Sequence, residues 1–116
     1  MKKSIIELEK ERFEWSLKNF PEATAYSSLL KLKEETVEIE EHLIKWKEQG
    51  WLDLKVAAEY ADGLMCLFDS AGRAGLSPQD IFDAFELKLK INKERKWIKN
   101  PDNTYSHVKI EENEVK

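Results

Sequence analysis

Residues 34–62 read EETVEIEEHLIKWKEQGWLDLKVAAEYAD, and this stretch decides how the chain folds. Two runs with helical patterning meet at Gly50-Trp51, and each carries a pair of acids three residues apart: Glu35 with Glu38, and Glu59 with Asp62. Such partners lie on one side of an α-helix, about one turn apart. On the first run Leu32, Thr36, Ile39, Leu43 and Trp46 form an apolar stripe. Glu35 falls about 50° from the centre of that stripe and Glu38 at its edge. Glu34, Glu40 and Glu41 point further away, as a solvated face does. A carboxylate on a core-facing surface is costly to desolvate unless something compensates it. A buried ion pair with a lysine is one compensation. Convergence of Glu35, Glu38, Glu59 and Asp62 on a cation is the other, and oxygen-only ligation points to Mg²⁺ or Mn²⁺.

Outward from this stretch, four helices can be placed. The first covers residues 4–19, and Phe20-Pro21 breaks it into a loop reaching Tyr26. Ser27 or Ser28 is the expected cap of the second, which stops at Gly50. Asp53 is the expected cap of the third, with Gly75 as its stop. Ser77-Pro78-Gln79-Asp80 opens the fourth, which is expected to run to about Trp97. The tail, residues 99–116, has a short alternating patch and an acidic end, and is expected to be peripheral. The expected fold is all-α: one four-helix-bundle-like domain over residues 1–116. The third helix is apolar around most of its circumference (Val56, Ala57, Ala58, Tyr60, Ala61, Leu64, Met65, Leu67, Phe68, Ala71). It should lie centrally or pack on a second copy, so a homo-oligomer is expected.

Composition narrows the classes further. A chain of 116 residues with 41% hydrophobic and 36% charged residues, and little Gly or Pro, suits one helical globule. A net charge of −4 gives no footprint for nucleic acid. No run is apolar enough for a signal peptide or a membrane span, and Cys66 is the single cysteine. A soluble protein of the reducing cytoplasm, without a membrane or nucleic-acid partner, is the expectation.

The third helix carries Glu59, Asp62, Gly63, Cys66, Asp69, Ser70 and Arg73 on one narrow face. That face is either simply solvated or part of a site; its small and acidic character, free of long side chains between Lys55 and Arg73, distinguishes it from the mixed first helix. On the fourth helix Lys88, Asn92 and Arg95 continue the face begun by Ile81, Ala84 and Phe85. Cations there suit a polyanion such as a triphosphate, or else they snorkel to the end of the bundle. Trp46, Trp51 and Trp97 read as packing; Trp15, just before a loop, reads as packing or as a stacking surface for a nucleobase. His42 lies one turn beyond Glu38, and no histidine is in register with Cys66, which argues against a thiol nucleophile.

KEETVEIEEH followed by AAEYADGLM resembles the EExxE…ExxD pattern of the MazG-like all-α nucleoside triphosphate pyrophosphohydrolases. Glu34-Glu35-x-x-Glu38 supplies the first half and Glu59-x-x-Asp62 the second. The downstream KLKINKERKW is similar to the family's closing segment, and FEWSLKNF is similar to the first helix of its phage-type dATP/dGTP diphosphohydrolase branch. The resemblance implies Mg²⁺-dependent hydrolysis, with Mn²⁺ able to substitute, of a nucleoside triphosphate to the monophosphate and pyrophosphate. It implies metal ligation by Glu35, Glu38, Glu59 and Asp62, with Glu34, Glu35 or Glu38 orienting the attacking water. It also implies phosphate or sugar contacts from Lys88, Asn92 and Arg95, a base contact from Trp15, and a homodimer or homotetramer.

Two rivals belong to other classes. A di-iron carboxylate bundle needs Glu-x-x-His pairs, and the residues three before His42 and His107 are Ile39 and Thr104, so that motif is missing. A non-catalytic helical oligomer serving as a protein-interaction module would leave the acids as a solvated face. Base preference and ribose against deoxyribose stay open at this stage.

Overall fold

A computed structural model describes residues 2–109. The elements in order are α1 (Ile5–Asn19), α2 (Ala25–Gln49), α3 (Val56–Arg73), α4 (Pro78–Glu94), β1 (Trp97–Lys99) and β2 (Tyr105–His107). The chain divides into two compact units, residues 1–81 and 82–116.

Short-range capping sets the boundaries in the first unit. Ser4 Oγ accepts the Glu7 N–H at 3.1 Å while the Glu7 carboxylate accepts the Ser4 N–H at 2.8 Å, a reciprocal box that starts α1. α2 begins earlier than expected. Thr24, not Ser27 or Ser28, is its cap, and Ser27 closes the box from the third position. Ser28 turns inward and donates to Asp69 instead. Gly50 ends α2 with φ +86°, a left-handed conformation that is cheap only for glycine. α3 starts at Val56, three residues beyond the expected cap. The Asp53 carboxylate accepts the Lys55 N–H at 2.9 Å and its carbonyl accepts the Val56 N–H at 3.1 Å, so Asp53 builds the preceding turn and Lys55 occupies the cap position. The expected Ser77–Asp80 box at the start of α4 is present, with bonds of 2.9 and 3.1 Å.

α2 and α3 form the main helix pair of this unit, and α1 packs on α3. Of the two α3 glycines that face other helices, only Gly72 is demanded by the approach. A Cβ at Gly72 would lie 2.6 Å from the Phe13 ring of α1, whereas one at Gly63 would sit 3.6 Å from Leu32 and 3.9 Å from Ile39 of α2. Among the described residues Val56 and Phe68 are the buried hydrophobics, while Glu9, Ser16, Ser28, Glu35 and Asp69 are buried polar groups. The interior is therefore polar to an unusual degree. Tyr60, Leu64, Met65 and Leu67 of α3 are about half exposed in the single chain, so α3 does not bury its whole apolar circumference within it.

In the second unit α4 stops at Glu94, short of the expected Trp97, because the chain turns into an antiparallel hairpin that pairs Trp97 with His107 and Lys99 with Tyr105. The turn is Asn100-Pro101-Asp102-Asn103. Proline presets φ, Asn103 takes φ +71°, and the Asp102 carboxylate accepts from the N–H and hydroxyl of Thr104 at 3.0 and 2.6 Å. Trp97 Nε1 donates to the Asn92 carbonyl at 3.0 Å, fastening the hairpin to the end of α4. The acidic end expected to be peripheral lies at 110–116, outside the described residues.

Candidate functional site

The acid pairs are brought together by the α2–α3 pairing. Carboxylate oxygens of Glu35, Glu38 and Glu59 all lie within 4.8 Å of one another, a spacing at which one divalent cation can be shared. Asp62, one turn after Glu59, lines the same cavity. Glu35 is buried, as its place beside the apolar stripe implies, while Glu59 is half-buried and Glu38 and Asp62 are exposed.

Like charges at this range disfavour ionisation. The Glu35 carboxyl is raised above its ordinary value, first by the hydrogen bond it shares with Glu38, then by desolvation and the charges of Glu38, Asp62 and Glu59. Glu59 is raised by burial and by Glu38, with His42 opposing. A proton shared between two carboxylates relieves such repulsion. A divalent cation fits the same donors better, because it satisfies several carboxylates at once and every donor is a hard oxygen.

The cavity has a volume of about 780 Å³, within the range of small-molecule sites. The four acids line it together with Trp15, Phe20, Ala23, Ser27 and Met65. Trp15 is 56% exposed and meets Phe20 edge-to-face at 5.3 Å, leaving an aromatic surface available. Of the residues singled out in the sequence, Trp15, Glu35, Glu38, Glu59 and Asp62 thus share one cavity. Glu34 is not among its lining residues; it is exposed and pairs with Lys31 at 3.3 Å. Lys88, Asn92 and Arg95 belong to the second unit, where Arg95 donates to Asn92 Oδ1 at 3.3 Å. Cys66 lines the cavity, and burial together with the charge of Glu35 pushes its thiol up, the opposite of what a nucleophile needs.

Asp69 is the residue whose role the sequence did not disclose. Its Oδ1 accepts from Ser16 Oγ at 2.7 Å and Arg12 at 3.0 Å, and its Oδ2 accepts from Ser28 Oγ at 2.6 Å and Arg73 at 2.7 Å. Arg12 also grips buried Glu9 through two bonds of 2.5 and 2.8 Å. Burial pushes the Asp69 carboxyl up, but the hydroxyls of Ser28 and Ser16 and the guanidiniums of Arg73 and Arg12 outweigh it and hold it well below the carboxylate range. Asp69 has no ligation left to offer a metal. It locks α1 and α2 to α3 at the edge of the cavity. The one sequence signal was its spacing from Arg73, four residues on along the same helix.

Comparison with known proteins agrees with this geometry. A family model described as dATP/dGTP pyrophosphohydrolase matches residues 8–114. The chain belongs to that family. A dATP/dGTP diphosphohydrolase of Salmonella phage PMBT28 is 33% identical over 105 residues, which is 90% of this chain and 32% of the relative. The chain therefore spans about a third of the length of the curated relative it matches. Among solved structures, the cyanophage S-2L MazG-like pyrophosphohydrolase, bound to dGDP and three catalytic Mn²⁺ ions per active site, superposes with a TM-score of 0.70. It is 26% identical, and the match covers 93% of this chain and all of that one. The dATP/dGTP pyrophosphohydrolase-family chain has the MazG-like all-α fold. Among its described residues no helix is long and apolar enough to cross a membrane.

Proposed function

We propose that the chain is a Mg²⁺-dependent nucleoside triphosphate pyrophosphohydrolase, with dATP and dGTP as preferred substrates and the monophosphate and pyrophosphate as products. The observation that carries this is the convergence of Glu35, Glu38 and Glu59, with Asp62, in one cavity that Trp15 and Phe20 also line. Family membership, and the dGDP and Mn²⁺ of the cyanophage relative, support the same reading.

Glu35, Glu38, Glu59 and Asp62 would hold Mg²⁺ or Mn²⁺. When bound, the metal supplies charge neutralisation at the phosphates and lowers the pKa of water. Glu38, the exposed member of the close trio, orients the attacking water and takes its proton on a carboxylate oxygen. The water oxygen bonds to the α-phosphorus as the bond to the leaving pyrophosphate breaks. Buried Glu35 fixes the ligand geometry, and Glu34, held by Lys31, stays outside. Trp15 stacks on the base, and Lys88, Asn92 and Arg95 of α4 contact phosphates or sugar. The working form is a homodimer or homotetramer in the cytoplasm, in which one pyrophosphohydrolase domain covers residues 1–116. The half-exposed apolar side chains of α3 support the oligomer.

A panel of deoxy- and ribonucleoside triphosphates assayed with Mg²⁺ and Mn²⁺ tests the proposal. Monophosphate should accumulate from dATP or dGTP in the presence of metal only. Failure of the whole panel removes the catalytic reading and leaves the protein-interaction one.

A further inference from the structure

A net charge of −4 speaks against a nucleic-acid partner for the chain as a whole, yet that charge is unevenly spread. Residues 88–99 carry six lysines and arginines against one acid, Glu94. This basic block runs into the β1–β2 ribbon, whose register decides what each face shows. Trp97 stands opposite His107 and Lys99 opposite Tyr105, so these four side chains share one face. Trp97 is 42% exposed and Tyr105 60%, and the Trp97 and His107 rings meet edge-to-face at 5.9 Å. Lys96, Lys99 and Lys109 are exposed and make no ion pair among the described residues. Asp102 is the one acid in residues 96–109, and its carboxylate is occupied by Thr104 at the turn.

A two-stranded ribbon is marginal on its own in water. This one is tied down: Trp97 Nε1 donates to the Asn92 carbonyl at 3.0 Å, and the Asn100 N–H donates to the Thr104 carbonyl at 2.7 Å. It offers two ring sites about 7 Å apart, one two-residue step along the strands, with cations beside them. An apolar protein patch laid over this face would bury Lys99 without a counter-charge. A nucleic-acid strand satisfies both kinds of group, because its bases stack on the rings while its phosphates meet the ammonium groups. We propose that Trp97, Lys99, Tyr105 and His107 form a docking face for a single-stranded polynucleotide, with Lys96 and Lys109 meeting its backbone. None of these residues lines the acidic cavity, and the proposal does not depend on the triphosphate chemistry.

The test is fluorescence anisotropy of short labelled oligo-dT and oligo-U titrated with the protein in EDTA, which keeps metal-bound phosphate out of the acidic cavity. Glu111, Glu112 and Glu114 follow outside the described residues, so the whole chain is the form to assay. Wild type should bind at least one of the two strands, and affinity should fall as salt rises. Tyr105→Ile, which keeps a β-branched apolar side chain but no ring, should weaken binding about tenfold, and Tyr105→Phe should match wild type. Lys99→Gln should weaken binding and flatten the slope of log affinity against log salt by about 0.7. Lys99 is exposed, so that variant carries the test alone should Tyr105→Ile disturb the ribbon. No binding by wild type, or an affinity indifferent to salt, overturns the proposal. Wild-type affinity and salt slope in Lys99→Gln also overturn it. If Tyr105→Ile lowers the oligomeric state in light scattering while oligonucleotide affinity stays the same, the face joins copies of the chain and the proposal fails.

Discussion

Acids of α2 and α3 do opposite things. Asp69 is fully partnered, and its carboxylate is held low by two hydroxyls and two guanidiniums. Removing it leaves Arg73 without its charged partner and Arg12 with Glu9 alone, so Asp69→Ala should lose about 3–5 kcal/mol in chemical denaturation. A loss below about 1 kcal/mol would show that the network is dispensable. Glu35 and Glu59 are raised, so in the metal-free protein their contribution is present below their ordinary value near 4.5 and is lost as pH rises through the folded values. Asp69 behaves inversely: its contribution is present above its ordinary value and is lost only as pH falls through the depressed one. Mg²⁺ or Mn²⁺ should therefore raise the Tm near neutral pH and do nothing around pH 4.5. An equal rise at both would place the metal elsewhere. Glu38→Gln should keep its helical content and lose turnover by at least about a hundredfold. Activity at the wild-type level would take Glu38 out of the site.

Helix geometry explains which of these residues could be read from the chain. Glu35 announces itself because it interrupts an apolar stripe on its own helix, which is local information. Asp69 sits on a face of small and acidic residues, and its partners Arg12, Ser16 and Ser28 come from helices 41 to 57 residues away. No single-helix pattern records such a meeting. Capping shows the same division. The Ser77–Asp80 box is a local motif and was legible, whereas Thr24 displaced Ser27 as the cap of α2 because Ser27 serves better at the third position. The hairpin after α4 was missed because three-residue strands carry almost no periodicity, although its Asn-Pro-Asp-Asn turn is a strong turn signal. The two α3 glycines give a paired prediction. Gly63→Ala should stabilise by up to about 1 kcal/mol, since a Cβ there meets Leu32 and Ile39 at ordinary contact distance. Gly72→Ala should destabilise by about 1–3 kcal/mol, because Phe13 must move. Urea denaturation of both variants decides it, and matching signs would contradict the packing described for α1 and α2 on α3.

For the molecule as a whole, two buried hydrophobics among the described residues are few for a chain of this length. Leu64 and Leu67 of α3, left about half exposed, are the surface proposed for a second copy. Light scattering after size exclusion should give a dimer or tetramer at micromolar concentration, and a monomer would leave that surface unexplained. The whole-chain reading otherwise depends on which bond is broken. Phosphorus NMR of dATP and dGTP incubated with the protein and Mg²⁺ addresses that directly. The account predicts resonances of the monophosphate and pyrophosphate, appearing together and absent with Glu38→Gln. Diphosphate with orthophosphate, or an unaltered triphosphate spectrum, would contradict it.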